Sequence, residues 1–233
     1  MITRITEKEE LEKALDAFSP DVFTGKIKAL YEAYGFSYPF LKFFRSEKAV
    51  IAFYYASAVI CGEADEEISQ FCGISGITDL LISHGGSPDG ILYVMEYRRA
   101  ACGSCIDLKT DTPYEKVYDI LKDGFQIDFD SWYTDTCHNV RHGISEVYTL
   151  EGVATAAKMF SVDGIALISL VAVKKEYKGK NYGRRIVEAV AERLSPGNRV
   201  FVICEKELVP FYEKCGFEKT AECYNKYESR TEE

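Results

Sequence analysis

Apolar positions recur along this chain with two different periods, and the switches between them outline its elements. Residues 10–18 place Leu11, Ala14, Leu15 and Phe18 on one helical face, and residues 26–34 read as a second helix. Residues 40–44 and 50–60 are apolar enough for strands on either side of the polar Arg45-Ser46-Glu47-Lys48. Helical spacing returns at 64–72 through Ile68, Phe71 and Cys72, with Gly73 as its stop. A strand at 91–98 follows the turn-rich segment from His84 to Gly90.

A polar, proline-containing stretch, Lys109 to Pro113, then punctuates the chain. Thr112, Pro113 and Glu115 read as N-cap, first helical position and third helical position of a helix whose apolar face carries Tyr114, Val117, Tyr118 and Leu121. Strands are predicted at 147–150, 153–160 and 165–173, joined through Glu151-Gly152 and Val162-Asp163-Gly164, both hairpin signals. A helix follows with Ile186, Val187, Val190 and Leu194 on one face, then a strand at 199–204. Pro210 suits the first turn of a last helix, Gly216 the left-handed position just past its end, and Phe217 the apolar contact beyond. Residues 1–108 and 112–233 are therefore expected to be separate domains.

Charge sharpens the picture at one place. The chain has a formal net charge of −9, yet Lys174 to Arg185 holds six cations and a single anion, Glu176. Arg184 and Arg185 fall in a first helical turn, where the helix dipole disfavours cations unless an anion is present. A strand, a glycine-containing loop with free N–H groups and a helix N-terminus together make a phosphate cradle.

The residues of that cradle, Lys178-Gly179-Lys180-Asn181-Tyr182-Gly183 after Val171-Ala172-Val173, resemble motif A of the GNAT (GCN5-related N-acetyltransferase) family. The segment from Arg199 to Phe217, ending Tyr212-Glu213-Lys214-Cys215-Gly216-Phe217, resembles the family's motif B. The resemblance implies an α+β (α/β sandwich) fold, with a mixed, mostly antiparallel sheet flanked by helices. It implies acetyl-CoA held by Val171, Ala172, Val173, Lys178, Gly179, Lys180, Asn181, Tyr182, Gly183 and Arg184. It implies that a backbone N–H around Val171 polarises the thioester carbonyl, and that Tyr212 is the acid protonating the leaving sulfur. Two departures stand out. Lys178 replaces the family's Arg or Gln, and Asn181 replaces a glycine, although Asn tolerates a left-handed backbone well. Residues 1–108 resemble a degenerate GNAT-like repeat that lacks any cradle sequence and so should hold no acetyl-CoA.

Length and composition fit a two-domain enzyme. At 233 residues with 47% hydrophobic content, the chain can bury two cores. It has no apolar run of membrane-spanning length, and its charged, helical start argues against a signal peptide, so a cytoplasmic, membrane-free location is expected. The acidic balance argues against a nucleic-acid partner. Of eight cysteines, only Cys102 and Cys105 have ligand spacing, and no second such pair exists, so no metal is expected. Cys61, Cys72, Cys204, Cys215 and Cys223 read as small buried hydrophobes.

Amine acetylation needs a deprotonated nitrogen, a stabilised oxyanion and a proton for the thiolate. Family enzymes often carry a carboxylate base just before the Val-x-Val of the motif A strand, but here those positions are Ser169 and Leu170. The base is left open among Glu146, His138, His142, Glu205 and a water relay. Residues 128–142, with the sole Trp132, Tyr133 and two histidines, fall where the family's first helices wall the acceptor site. The implied partner is a small-molecule or amino-acid-like amine, with a second copy of the chain as a further candidate. An N-acetyltransferase is expected, with a CoA- or acyl-CoA-binding pseudoenzyme or sensor as the alternative.

Overall fold

Each half of the chain runs through the same order of elements. The computed structural model describes residues 1–85, 90–99 and 106–227; Cys102 and Cys105 lie outside the described residues. Contacts divide the chain into one unit of residues 1–94 with 221–233, and a second of residues 95–220. The first unit ends before the polar stretch at 109–113. Glu96 bonds Arg199 and Arg99 bonds Glu188, so residues 95–99 belong with the second unit.

The first unit contains β1 (Thr3–Ile5), α1 (Lys8–Leu15), α2 (Val22–Tyr34), β2 (Leu41–Arg45), β3 (Ala49–Tyr54), β4 (Ser57–Ala64), α3 (Glu66–Ile74) and β5 (Asp79–Gly85). Strands β1 to β4 pair antiparallel in sequence order, and β5 joins β4 parallel. Asp21 caps α2 by accepting from the N–H groups of Phe23 and Thr24, while Thr24 returns a side-chain acceptor to the Asp21 N–H. The core is built on Ile51, Ile60, Ile68, Leu80 and Ile82.

Three local expectations change here. The apolar run at 50–60 is two strands, turning at Tyr55-Ala56 with Tyr55 at φ 53°. Gly73 lies inside α3, whose N-cap is Asp65 and whose C-cap is Ser75. Strands β1 and β5 were not anticipated, the first because it is only three residues long.

β6 (Gly90–Tyr97) leads into the second unit. There follow α4 (Tyr114–Leu121), α5 (Phe129–Arg141), β7 (Glu146–Leu150), β8 (Ala154–Val162), β9 (Ile165–Val173), α6 (Tyr182–Leu194), β10 (Arg199–Cys204), α7 (Val209–Lys214) and β11 (Phe217–Tyr227), the last strand also unanticipated. β7, β8 and β9 pair antiparallel in order, and β10 joins β9 parallel. Two helices, three antiparallel strands, a helix and a parallel strand thus occur in both halves. Each half is a mixed, mostly antiparallel sheet flanked by helices.

The helical face expected on α6 is fully used: Ile186, Val187 and Val190 are completely buried. Each such side chain contributes about 1.5–3 kcal/mol of transfer free energy. On another core cluster, Val117, Ile120 and Leu121 of α4 pack with Trp132 of α5 and Ala172 of β9. The capping box expected at Thr112 does not form. Pro113 is the N-cap of α4, and the Thr112 hydroxyl instead bonds the Thr149 hydroxyl at 2.6 Å.

Candidate functional site

The apolar run of β9 makes a buried strand, but its two edges are unequal. β8 follows it from Ile165 to Val173, with two register shifts. β10 pairs with it at only three positions, Ile165, Ala166 and Leu167. Both strands continue, β9 to Val173 and β10 to Cys204, without further pairing to each other. Within this unpaired stretch Leu170 has φ 50°, a left-handed conformation that costs a non-glycine residue roughly 1–3 kcal/mol. The strand bulges where it parts from its neighbour, and beyond Leu167 the backbone groups that do not bond β8 have no ladder partner on β10, which leaves an opening between the two strands.

The loop after β9 completes that opening. A short 3-10 turn, Lys175–Tyr177, is anchored where the Lys175 N–H donates to Asp123 Oδ2 at 2.9 Å and Lys178 Nζ donates to the Asp123 carbonyl at 3.3 Å. Gly179 has φ 78°, and a Cβ there would meet no heavy atom within 4 Å. Asn181 caps α6 at φ 68° without a side-chain cap bond. Among the described residues no acceptor meets the N–H groups of Tyr182, Gly183 or Arg184, the three orphan donors of the first turn. Gly183 lies beside α7 and β9: a Cβ there would be in ordinary contact, 3.5 Å from both Phe211 and Val173.

The cations of the loop are tethered as well as clustered. Arg184 Nε donates to Glu188 Oε1 at 2.9 Å, and Arg99 reaches the same oxygen at 2.7 Å. Arg185 and the Tyr182 hydroxyl both donate to Glu151, at 2.8 and 2.9 Å. The Arg185 bond, followed by that of Tyr182, holds the Glu151 carboxyl below its ordinary range. These two glutamates are the anions that two arginines in a first helical turn require. Lys180 sits over the Tyr177 ring at 4.9 Å.

Tyr212 lies in α7, which starts with Pro210 in its first turn and ends before Gly216 at φ 92°. Its ring packs between Phe211 and Phe217 at 5.1 and 5.7 Å. Burial, then the neighbouring Cys204 and Cys215 thiols, pushes its phenol well above the ordinary tyrosine value. Burial likewise raises the Cys204 thiol to about 11 and the Cys215 thiol to about 12. All five cysteines expected to be buried are buried, and none of them forms a disulfide.

The other candidates are distributed around this centre. Trp132 is buried among Tyr114, Tyr118 and Phe129, and its indole N–H has no partner among the described residues. Leu170 packs against the same cluster, which brings α5 beside the bulge of β9. Glu146 is already engaged: it accepts from Tyr148 at 2.6 Å and lies 3.9 Å from Lys158 and 3.8 Å from Arg193. His138 in the last turn of α5 and His142 at its C-cap stack on each other, 4.2 Å between centroids. Glu205 is exposed immediately after β10. Asp123, Glu151 and Glu188 escaped sequence reasoning, since only tertiary structure brings them to the loop.

The first unit has the corresponding elements without the opening. β4 and β5 pair from Ser57↔Asp79 to Ile60↔Ile82 and, after a register shift, again at Glu63↔His84 and Ala64↔Gly85. Asp65 follows β4 directly, caps α3 with its own side chain, and is succeeded by Glu66 and Glu67. Pairing thus resumes to the strand ends, and the first turn of this helix is acidic where that of α6 is basic.

Residues 146–229 match the family model for the acetyltransferase (GNAT) domain. A search of curated proteins found no match. Among solved structures, a GCN5-related N-acetyltransferase from Kribbella flavida is 11% identical with TM-score 0.58, covering 91% of this chain and 94% of its own. One from Sphaerobacter thermophilus is 12% identical with TM-score 0.58, covering 96% and 94%. A tandem GNAT protein from the clavulanic acid biosynthesis pathway is 12% identical with TM-score 0.56, covering 97% of each chain. At such identities the likeness establishes the fold. Among the described residues no helix is long and apolar enough to cross a membrane.

Proposed function

We propose that this chain, whose residues 146–229 match the model of the GNAT acetyltransferase domain, moves the acetyl group of acetyl-CoA onto the amine of a small molecule or amino-acid-like acceptor. The supporting observation is the parting of β9 from β10 beside the unsatisfied N-terminus of α6. An elongated thioester with a pyrophosphate fits that geometry, strand edge for the arm and helix end for the charge. The second unit carries this site, and the reading places the work in the cytoplasm.

Acetyl-CoA supplies an activated carbonyl and a thiolate leaving group. The N–H groups of Tyr182, Gly183 and Arg184, with the Lys178 and Lys180 side chains, would bind and orient the phosphates. The open edge at Val171, Ala172 and Val173 holds the arm in line, and an N–H around Val171 stabilises oxyanion charge as the amine attacks. The Tyr212 O–H gives its proton to the departing sulfur; the phenol is protonated at neutral pH, although the upward shift from burial makes it a weaker acid. Ser169 and Leu170 supply no carboxylate, so the amine loses its proton to water or to an acidic group at the rim, of which Glu205 is the uncommitted one.

A second reading, CoA or acyl-CoA binding without turnover, is favoured by that missing carboxylate and by the Asn181 side chain in the cradle. Thiol release from acetyl-CoA across an amine panel separates the two. Amine-dependent release supports transfer; binding without release for every amine supports the sensor.

A further inference from the structure

The two halves differ in how far their crossover helix roofs the sheet. In the second unit α6 has 13 residues, about 20 Å, and its last turn sets Arg193 over the Tyr148 ring of β7 at 5.4 Å. In the first unit the corresponding α3 has nine residues, about 14 Å, and stops at Ile74. It covers β3 and β4, burying Ile51, Phe53 and Ile60, and reaches β2 only through Phe71 against Phe44, so that Phe40 and Phe44 stay half-buried and Lys42 exposed on the matching face. Along β2 that face reads Phe40, Lys42, Phe44, whereas Leu41 and Phe43 on the other face are buried.

This partly covered face is a hollow of about 210 Å³ rather than a flat surface. Rings from Phe40, Phe44, Phe53, Tyr55 and Phe71 line it, with Lys42 among them. Phe40 and Tyr55 stack face to face, 4.4 Å apart and 6° from parallel, forming one wall. Phe44, Phe53 and Phe71 form the other, 4.9 to 5.3 Å between centroids. The Lys42 ammonium has no carboxylate partner among the described residues, and no Asp or Glu lines the hollow. Ser75, at the C-terminal end of α3, adds a hydroxyl at the rim.

We propose that this hollow is a second, non-catalytic binding site for a flat aromatic carboxylate. The volume admits one or two fused rings. Aromatic walls reward planar apolar faces over chains. The unpaired ammonium selects an anionic group and opposes the cation that an all-aromatic cage would otherwise attract. The proposal is independent of the acetyl-transfer reading, because none of these residues belongs to the acetyl-CoA cleft.

Titrating the full chain with 2-naphthoate, followed by the ligand's own fluorescence, tests it. Saturable binding is expected, at least fivefold tighter than for neutral 2-naphthamide. Lys42→Met should erase that difference, and Tyr55→Ala should weaken both ligands at least fivefold. Both side chains are exposed, so the variants should keep the parent's circular dichroism. A Ser75→Phe variant, filling the hollow from its rim, should abolish binding without touching β2. Absence of saturable binding, indifference to all three variants, tighter binding of a naphthylmethyl-trimethylammonium probe, or displacement of naphthoate by CoA would each overturn the proposal.

Discussion

Tyr212→Phe separates chemistry from folding unusually well in this protein. The ring is wedged between Phe211 and Phe217, and its hydroxyl forms no hydrogen bond among the described residues. Removing that oxygen keeps the packing and orphans no partner, so stability should change by less than about 1 kcal/mol. If the hydroxyl protonates the departing sulfur, its loss should lower kcat roughly 10²-fold, about 2.7 kcal/mol of transition-state stabilisation. Burial raises the phenol's pKa, so the neutral acid persists throughout pH 6–9 and the defect should be constant across that range. The linked stability effect follows from the sign of the shift. The folded-state value lies above the unfolded value near ~10, so the contribution is complete below that pH and is lost only as pH rises past it. The assay is thiol release with an acceptor from the amine panel, alongside binding calorimetry for CoA. Parent-like rates for the Phe variant at every pH would show that the thiolate leaves unassisted and that Tyr212 serves packing alone.

Other consequences are as direct. Reversing Lys178, Lys180 and Arg184 together to Glu should weaken CoA binding well over tenfold by calorimetry, each close charge being worth on the order of 1 kcal/mol; unchanged affinity would remove the cradle assignment. Asn181→Gly relieves a left-handed backbone at φ 68° and should leave CoA affinity equal or higher, whereas a large loss would make the Asn amide itself a ligand. Glu96 is 3% exposed and holds both Arg199 and Arg98, so Glu96→Ala should cost about 2 kcal/mol and lower Tm by about 4–8 °C in calorimetry. That cost is kept below the buried-pair range because both arginines are half exposed, and an unchanged Tm would show the triad to be neutral.

Local rules made several parts of this molecule readable. The 3.6-residue spacing of Ile186, Val187, Val190 and Leu194 named the buried face of α6, and Pro210 with Gly216 bracketed α7. Both signals act within a few residues. What stayed hidden depends on partners distant in sequence. Thr112 has the sequence of a helix cap, but a hydroxyl 37 residues away takes it. The turn at Tyr55-Ala56 uses neither Gly nor Asn, so nothing in an apolar run announces it. Leu170 is the sharpest case, since a leucine within nine consecutive strand residues gives no hint of a positive φ. The glutamates that tether Arg184 and Arg185 are invisible for the same reason: charge composition names candidates, and only the fold pairs them.

The parallel seams of the two halves also make the chain a gauge of its own occupancy. Amides between tightly laddered strands exchange slowly with solvent, and those on a parted edge exchange fast until something fills the gap. In peptides covering residues 168–173 and 202–204, the amides that face the gap should therefore take up deuterium quickly in the free protein and slow down when a ligand bridges the strands, while those bonded to β8 stay slow. Peptides covering 58–60 and 80–82 span the seam that is already closed and should keep one rate throughout. Their ratio reads occupancy in a single sample, whatever the acceptor proves to be and even where no turnover is available to follow.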